Sequence, residues 1–213
     1  MQVQKIDPED HHYPPILHER MSSNLPPALY ALGDCGILRN RLLGLICSIQ
    51  CPGRIIIKTF DTVRRLRDAG VTLIGGFHSP MERECLDLLL RGTQPVVLCA
   101  AKGLRGVRIG ESARKALRED RLLLLSPFSM EVRWTTSSQA SERNKLVTVM
   151  AEAVLVPYAA PGGRTWDAAC SALGRGQKVF ALDDEANSHL FARGVRACQS
   201  DSLGQILSLM AES

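Results

Sequence analysis

The chain has 213 residues, of which 45% are hydrophobic and 23% are charged, a balance typical of one ordinary globular domain. No stretch approaches the length of about 20 apolar residues that spans a bilayer. The first residues lack the basic start and apolar centre of a secretion signal, so composition argues against a membrane or exported protein, and we expect a cytoplasmic one.

The net charge of +4 is distributed unevenly along the chain. Residues 1–24 carry a net charge of −2 and residues 181–213 carry −3, so the segment between them carries +9. A basic body between acidic ends suits a polyanionic partner. Exposed helices also carry surplus arginine for solubility alone, so the charge favours nucleic acid without requiring it.

Seven cysteines make an odd count, and in a chain without an export signal we expect reduced thiols rather than a disulfide framework. Cys47 and Cys51 are the only closely spaced pair, and no histidine or second pair nearby completes a tetrahedral zinc site. His11 and His12 lie in a proline-containing leader, where we expect them to be solvated. The sequence therefore predicts no metal site and no cofactor.

The first 24 residues contain three prolines and no apolar periodicity, so they predict a flexible arm ahead of one domain over residues 25–213. Pro26 and Pro27 predict the start of a short helix that ends near Gly33. From there, short buried apolar runs alternate with segments of helical spacing.

This alternation defines the predicted fold. Strands are predicted at residues 43–48, 71–74, 95–100, 122–125, 153–157 and 178–182, with a short one near residue 195. Helices are predicted at residues 55–69, 81–92, 112–117, 141–151, 163–173, 187–192 and 203–210. Strands that alternate with helices in this way predict an α/β fold of Rossmann-like type, with a mostly parallel sheet and helices on both faces.

Three loops follow strands of this sheet, at the edge where open parallel sheets bind their ligands. They cover residues 47–50, 75–82 and 161–165. In the last of them, Gly162 and Gly163 let backbone N–H groups approach a phosphate ahead of a helix, and Arg164 and Thr165 supply further donors.

The loop over residues 75–82 repeats this arrangement. Gly75 and Gly76 precede a helix, with His78 and Ser79 available to bind an anion. A pair of glycines after a strand also makes a simple tight turn, so each loop alone is weak, but two at neighbouring strand ends reinforce each other.

Few residues indicate covalent chemistry. No Ser-His-Asp order, zinc signature or Walker P-loop is present, and nothing ties two carboxylates together as an acid–base pair, so we predict no catalysis. Trp134 lies in a polar stretch, where it either stacks on a base or covers the edge of the core. The second interpretation is the preferred one.

Several motifs follow one another in a characteristic order. They are Leu32-Gly33-Asp34, a strand that ends in Ser48, Gly75-Gly76 before a helix, Ser126-Pro127, and Arg143-Asn144 followed by Ala153-Val154-Leu155-Val156. In this order they resemble the DNA-processing protein A (DprA/Smf) family over about residues 28–182, as a divergent short branch.

The resemblance implies a Rossmann-like domain that binds single-stranded DNA and helps to load a recombinase, in a family whose members commonly form homodimers. Arg143 and Asn144 match the family well. Where the family has Gly-Ser-Arg after its first strand, this chain has Cys47-Ser48-Ile49, so an expected arginine is absent. In the second loop, over residues 75–82, only the glycine character at Gly75 and Gly76 agrees with the family.

A second resemblance keeps an enzymatic alternative open. Arg143, and Pro161-Gly162-Gly163 followed by Thr165, also resemble the LOG-type phosphoribohydrolases, which split a nucleoside monophosphate into base and ribose phosphate. The catalytic glutamate of that motif aligns here with Ala168. Asp167 is adjacent, but neighbouring helix residues point about 100° apart. A hydrolase or another nucleotide-binding protein is therefore the alternative.

We expect a protein that binds a phosphate-bearing ligand, with single-stranded DNA preferred, in DNA processing or recombination. Its partners would be DNA or a nucleotide, together with a recombinase and a second copy of the chain, and no membrane. The glycines would cradle phosphate through their backbone, the arginines would neutralise charge, and the other side chains would donate hydrogen bonds. The predicted binding residues are Ser48, Gly75, Gly76, His78, Ser79, Arg143, Asn144, Gly162, Gly163, Arg164 and Thr165.

Overall fold

The computed structural model describes residues 2–21, 24–199 and 203–211. In chain order these residues form β1 (Gln4–Ile6), α1 (Pro15–Met21), β2 (Leu29–Leu32), β3 (Leu42–Leu45), α2 (Gly53–Asp68), β4 (Thr72–Gly75), α3 (Pro80–Leu90), β5 (Val96–Cys99), α4 (Glu111–Arg118), β6 (Leu122–Ser126), α5 (Ser137–Met150), β7 (Ala153–Leu155), α6 (Arg164–Gly174), β8 (Lys178–Leu182), α7 (Ser188–Phe191), β9 (Arg196–Cys198) and α8 (Gly204–Ala211). Short 3-10 helices cover Cys35–Arg39 and Glu185–Asn187. None of the described helices is long and apolar enough to cross a membrane.

The strands form one sheet in the order β1-β2-β6-β5-β4-β3-β7-β8-β9. Neighbours from β6 to β9 in this order are parallel, whereas β2 runs antiparallel to both β1 and β6. Helices α1, α5, α6 and α7 cover one face, and α2, α3, α4 and α8 cover the other. The predicted Rossmann-like α/β fold is therefore confirmed.

The central strands are buried along their whole length. Every residue of β3, β4, β6 and β7 is buried, because a parallel sheet with helices on both faces leaves no side chain in water. Within β4, Leu73 contributes to one core and Ile74 to the other, as the alternation of side chains along a strand requires.

The course of the chain through the sheet creates a crevice. From β3 the chain builds outward through β4, β5 and β6, and it then returns to place β7 on the other side of β3. Because connections leave β3 and β7 toward opposite sides, a gap opens at their carboxyl ends, where doubly wound sheets bind ligands.

Residues 2–21 do not form the predicted flexible arm. Strand β1 pairs with β2, and α1 packs against α5 with Leu17 fully buried. The Nη1 atom of Arg20 donates to the carbonyl oxygens of Val149 (2.9 Å) and Ala151 (2.7 Å) at the end of α5, where helical carbonyl groups lack partners. The prolines start α1 rather than prevent it, because a proline fits the first turn of a helix. Met1, Ser22 and Ser23 of the predicted arm lie outside the described residues.

The helix predicted from Pro26 to Gly33 is also wrong, because β2 occupies that segment. Leu29 and Ala31 are buried and alternate with half-buried neighbours, which is the pattern of a strand. The antiparallel pairing with β6 is a long-range interaction that a local pattern does not reveal. The other predicted elements are present, although α5 begins at Ser137 instead of residue 141.

Candidate functional site

A cleft of about 440 Å³ opens at the carboxyl edge of the sheet, in the gap between β3 and β7. Its walls are the loops that follow β3, β4 and β7, together with α5 and the first turn of α6. The lining residues are Cys47, Ser48, Ile49, Gln50, His78, Ser79, Glu82, Ala140, Arg143, Asn144, Ala160, Gly162, Gly163, Arg164 and Thr165.

The cleft brings together most of the residues that the sequence singled out. Of the eleven predicted binding residues, all but Gly75 and Gly76 line it. Segments from four distant parts of the chain therefore meet at the predicted edge of the sheet. Ile49, Cys47, Gln50, Glu82, Ala140 and Ala160 line the cleft without having been predicted as binding residues.

Arg143 is the central cation of the cleft. Its side chain comes from α5 and the residue is only 6% exposed. The Nε atom donates to Asn144 Oδ1 (2.8 Å) and Nη1 donates to the carbonyl oxygen of Cys99 (3.2 Å) at the end of β5. Among the described residues, no carboxylate lies within ion-pair distance of it. A buried guanidinium without a counter-charge is costly, and an anionic ligand in the cleft would provide that charge.

Two buried cysteine thiols, that of Cys99 near this cation and that of Cys85 on α3, remain protonated at neutral pH. Burial raises the pKa of Cys99 to about 12, although the nearby charge of Arg143 acts in the opposite direction. Burial likewise raises the pKa of Cys85 to about 12. Neither thiol therefore supplies the negative charge that Arg143 lacks.

Gly75 and Gly76, which were predicted to cradle phosphate through their backbone, do not line the cleft. Gly75 is the last residue of β4, and a Cβ atom on it would lie 3.0 Å from the carbonyl oxygen of Leu45. A Cβ atom on Gly76 would overlap the guanidinium of Arg143. The second glycine thus provides the space in which the guanidinium of Arg143 lies.

The amide groups of the neighbouring loops are held by Glu82. Its carboxylate accepts hydrogen bonds from the backbone N–H groups of Cys47 (3.2 Å), His78 (3.1 Å) and Ser79 (3.0 Å). The hydroxyl of Ser79 accepts the N–H of Glu82 (3.2 Å), which completes a capping box at the start of α3. One buried carboxylate therefore joins the loops after β3 and β4, and those amides are not available to a ligand.

Ser48 connects the two sides of the crevice. Its amide donates to the carbonyl oxygen of Tyr158 (3.0 Å), and its Oγ accepts the amide of Ala160 (3.0 Å). The loops after β3 and β7 are thereby fixed to each other. The Ser48 hydroxyl still has a proton that it can donate toward the cleft.

The start of α6 presents free donors. Gly162 has a φ of +69°, which turns the chain sharply, and Gly163 caps the helix without a side-chain hydrogen bond. No residue of the described chain accepts the first-turn amides of Arg164 and Thr165, so the positive end of the helix dipole faces the cleft unsatisfied. This is the arrangement that binds anions at helix N-termini.

The balance of charge in the cleft is positive. Arg164 is exposed and forms no ion pair with a described residue, and His78, which is also exposed, lines the same cleft. Glu82 is the one carboxylate that lines the cleft in the part of the chain described, and three amides already bind it. Asp167, adjacent to the position of the hydrolase glutamate, is exposed and does not line the cleft.

The preferred interpretation of Trp134, that it covers the edge of the core, is wrong. It is 82% exposed, on the loop that leads from β6 into α5. The polar neighbours of Trp134 gave no means of distinguishing the two interpretations in advance.

One group of side chains could hold a metal elsewhere. Asp10, His11 and His12 place one ligand atom each within 4.8 Å of one another. Asp10 Oδ1 already accepts the amide of His12 (2.8 Å) and contacts both imidazole rings. These residues are consecutive and do not line the cleft, so the cleft itself has no comparable ligand set among the described residues.

Comparison with known proteins finds a matching family and several solved structures of similar fold. The family model of DNA recombination-mediator protein A matches residues 4–203. DNA processing protein A from Streptococcus pneumoniae superposes with a TM-score of 0.79 at 16% identity, over 93% of this chain and 72% of that one. DNA processing protein A from Helicobacter pylori, which binds single-stranded DNA, gives a TM-score of 0.77 at 15% identity, over 98% of this chain and 95% of that one.

A weaker likeness extends to another group of proteins with this fold. The molybdenum cofactor binding protein from Rippkaea orientalis superposes with a TM-score of 0.57 at 12% identity, over 82% of this chain and 99% of that one. No curated protein sequence matches the chain.

Proposed function

Because the chain belongs to the DNA recombination-mediator protein A family, we propose that it binds single-stranded DNA in the cleft between β3 and β7. One observation carries the proposal. Arg143 is a buried cation that lines the cleft and has no carboxylate partner among the described residues. A backbone phosphate of DNA is an anion with oxygens that suit a guanidinium.

The remaining donors are arranged around the same position. A phosphate near Arg143 would also meet the amides at the start of α6, the side chain of Arg164 and the hydroxyls of Ser48 and Thr165. Asn144 holds the Nε atom of Arg143 (2.8 Å) and so orients the guanidinium. Binding of this kind neutralises charge and fixes the strand without reading its bases.

The surroundings of the cleft favour a polymer over a single nucleotide. The segment between residues 24 and 181 carries a net charge of +9, whereas a mononucleotide needs few cations. Exposed Lys102, Arg108 and Arg133 lie on the loops after β5 and β6, at the same edge of the sheet as the cleft. They extend the positive surface beyond the space that one nucleotide occupies.

The hydrolase alternative has less support in the cleft. Glu82 is buried and accepts three amide hydrogen bonds, so it is poorly placed to activate water. Asp167 lies outside the cleft lining. A LOG-type reaction would need a carboxylate free to act on the ribose, and neither residue meets that requirement.

The experiment is a titration of a fluorescently labelled oligo(dT) at several salt concentrations. We expect Arg143→Ala to weaken binding about 10- to 100-fold, the range of a charge-assisted contact. Arg143→Ala and Arg164→Ala should each reduce the salt slope by about 0.7, the value for one phosphate on a single strand. Arg65→Ala is the matched control, since Arg65 is exposed in the last turn of α2 and does not line the cleft.

Two results would overturn the proposal. One is the absence of binding by the wild-type protein at low salt. The other is a double variant of Arg143 and Arg164 that binds as tightly as the Arg65 control, which would place DNA elsewhere on the basic surface. Competition by nucleoside monophosphate, together with assay of base release, tests the alternative in the same samples.

The proposal includes the partners and location that the family implies. Bound DNA would be passed to a recombinase, and two copies of the chain would associate in the cytoplasm. Support comes from the family, which is that of DNA recombination-mediator protein A. Sedimentation at several protein concentrations tests the dimer, and recombinase loading onto DNA with and without this protein tests the mediator role.

A further inference from the structure

Trp134 is the most exposed large apolar side chain in the described residues. It is 82% exposed, compared with 61% for Ile49, 65% for Ile57 and 37% for Met130. Its neighbour Arg133 is exposed as well. An indole that folding leaves in water is available to bind a ligand surface.

The loop after β6, which carries Trp134, packs against the loop after β5. The amide of Gly103 donates to the carbonyl oxygen of Val132 (2.8 Å), and Arg105 forms an ion pair with Glu131 (2.9 Å). Closer to the sheet, Ser126 Oγ donates to the carbonyl oxygen of Lys102 (2.8 Å). The loops after β5 and β6 are therefore joined at three points.

The same loop leads directly to the cleft. Thr136 caps α5 in a capping box with Gln139, two residues after Trp134. Ala140 and Arg143, further along this helix, line the cleft. At a rise of 1.5 Å per residue, Thr136 and Ala140 are about 6 Å apart along the axis. Trp134 thus stands at the end of the cleft that α5 forms, on the carboxyl edge of the sheet.

The charge around Trp134 indicates which ligand it suits. Exposed Arg133, Lys102 and Arg108 form no ion pair with any residue in the described ranges, and the acidic group of the loop, Glu131, is paired with Arg105. Cations that flank an exposed aromatic ring are the combination with which proteins bind single-stranded nucleic acid. An apolar protein partner would instead require several exposed apolar side chains together.

We propose that Trp134 is a stacking platform for a base of the single strand whose phosphate lies at Arg143. The inference rests on the proposed function and adds a second point of contact, to a base rather than a phosphate. A strand held in this way would cross the tips of β4, β5 and β6. Stacking tolerates every base, so the platform would add affinity without sequence preference.

The chain offers a direct spectroscopic test, because Trp134 and Trp166 are its two tryptophans. Trp166 is half-buried and packs beneath Arg193 (5.5 Å) and beside His189. A Trp166→Phe background leaves Trp134 as the one source of indole emission. Titration with unlabelled oligo(dT) should quench that emission, and titration with an abasic oligonucleotide of equal length should quench it much less.

Affinity measurements give an independent readout. In the same background, Trp134→Ala should weaken binding of oligo(dT) about 5- to 150-fold, the range of one stacked base, whereas Trp134→Phe should recover most of the loss. The penalty of Trp134→Ala should disappear with the abasic strand, while that of Arg143→Ala should persist because its contact is a phosphate.

The outcomes separate the two proposals. Equal affinities of Trp134→Ala and its parent for oligo(dT), or equal quenching by both strands, would overturn the stacking platform and leave the cleft intact. Loss through Trp134→Ala without loss through Arg143→Ala would overturn the phosphate site in the cleft, and with it the proposed strand path from Arg143, and would leave only a base contact at Trp134. No binding of either strand by the parent would overturn both.

Discussion

Gly76 leaves the space in which the guanidinium of Arg143 lies. A Cβ atom built on Gly76 would overlap that group, and the same guanidinium donates to the carbonyl oxygen of Cys99 (3.2 Å). The arginine of α5 therefore lies across the carboxyl ends of β4 and β5. The position of the main cation of the cleft depends on a residue 67 positions earlier in the chain.

Gly76→Ala should displace Arg143 from this position. Because the backbone of Gly76 continues directly from β4, the guanidinium must move rather than the strand. We expect binding of oligo(dT) to fall about 10-fold or more, toward the level of Arg143→Ala, since misplacing a charge-assisted contact loses most of its energy. Anisotropy titration of both variants measures the effect.

Gly174→Ala provides the control for this change. A Cβ atom on Gly174 has no neighbour within 4 Å, and the residue ends α6 away from the cleft lining. Its affinity should equal that of the wild type. If Gly76→Ala also binds normally, or if combining it with Arg143→Ala doubles the loss in free energy, the two residues do not act as one unit.

Ile49 stands where the family has an arginine after its first strand. It is 61% exposed and lines the cleft, so Ile49→Arg should fit without burying charge. We expect tighter binding of oligo(dT) and a salt slope steeper by about 0.7, because one more phosphate is neutralised. Ile57→Arg adds the same charge at an equally exposed isoleucine of α2 that does not line the cleft. Equal gains in affinity from both substitutions would mean that added positive charge strengthens binding wherever it lies, and that position 49 contacts no phosphate.

Most of the fold was predictable because its signals are local. The run Leu122–Leu125 is apolar throughout and follows the charged Arg121, which is typical of a strand buried on both faces. Once the strands alternate with helices, the carboxyl edge follows from the handedness of the connections. The prediction that these loops meet at one edge of the sheet agrees with the cleft, but β4 and β7, whose loops were predicted to lie at neighbouring strand ends, are separated by β3.

The parts that were missed depend on long-range contacts. Strand β1 has three residues, of which only Ile6 is buried, so it has no periodicity to recognise. The role of Gly76 depends on Arg143, which no local pattern links to it. Glu82 is different, because the Ser79-x-x-Glu82 spacing is a capping signature that was present in the sequence. What that signature does not reveal is the third amide, that of Cys47, on another loop.

Glu82→Gln should destabilise the fold by about 1–3 kcal/mol. The carboxylate accepts three backbone N–H groups, and a glutamine replaces one of its two acceptor oxygens by an amide donor that faces them. Urea denaturation monitored by circular dichroism measures the loss. Glu84→Gln is the control, because Glu84 is exposed on the same helix. Equal midpoints for the two variants would mean that the Glu82 contacts contribute little.

Asp184 should make the stability of the protein depend on pH. It is buried between α2 and the loop after β8, where it binds Arg54 (2.9 Å), Lys58 (3.1 Å) and the amide of Ala186 (3.1 Å). Burial alone would raise the pKa of Asp184, but the hydrogen bonds from Ala186, Lys58 and Arg54 outweigh it and hold the pKa below the ordinary value of 3.8.

A carboxyl group with a lowered pKa in the folded state stabilises the protein above its ordinary pKa, and that contribution disappears as the pH falls through the folded value. Asp184→Asn should therefore be less stable than the wild type by about 1–2 kcal/mol at pH 7, with the gap unchanged down to about pH 5. Below about pH 4 the gap should narrow, because protonation removes the same charge in the wild type. Asp183→Asn, at an exposed neighbour, is the control for the substitution itself. A difference in the free energy of unfolding that stays constant from pH 7 to pH 3 would contradict the lowered pKa of Asp184. The contacts with Arg54 and Lys58 would then stabilise the protein through packing rather than through charge.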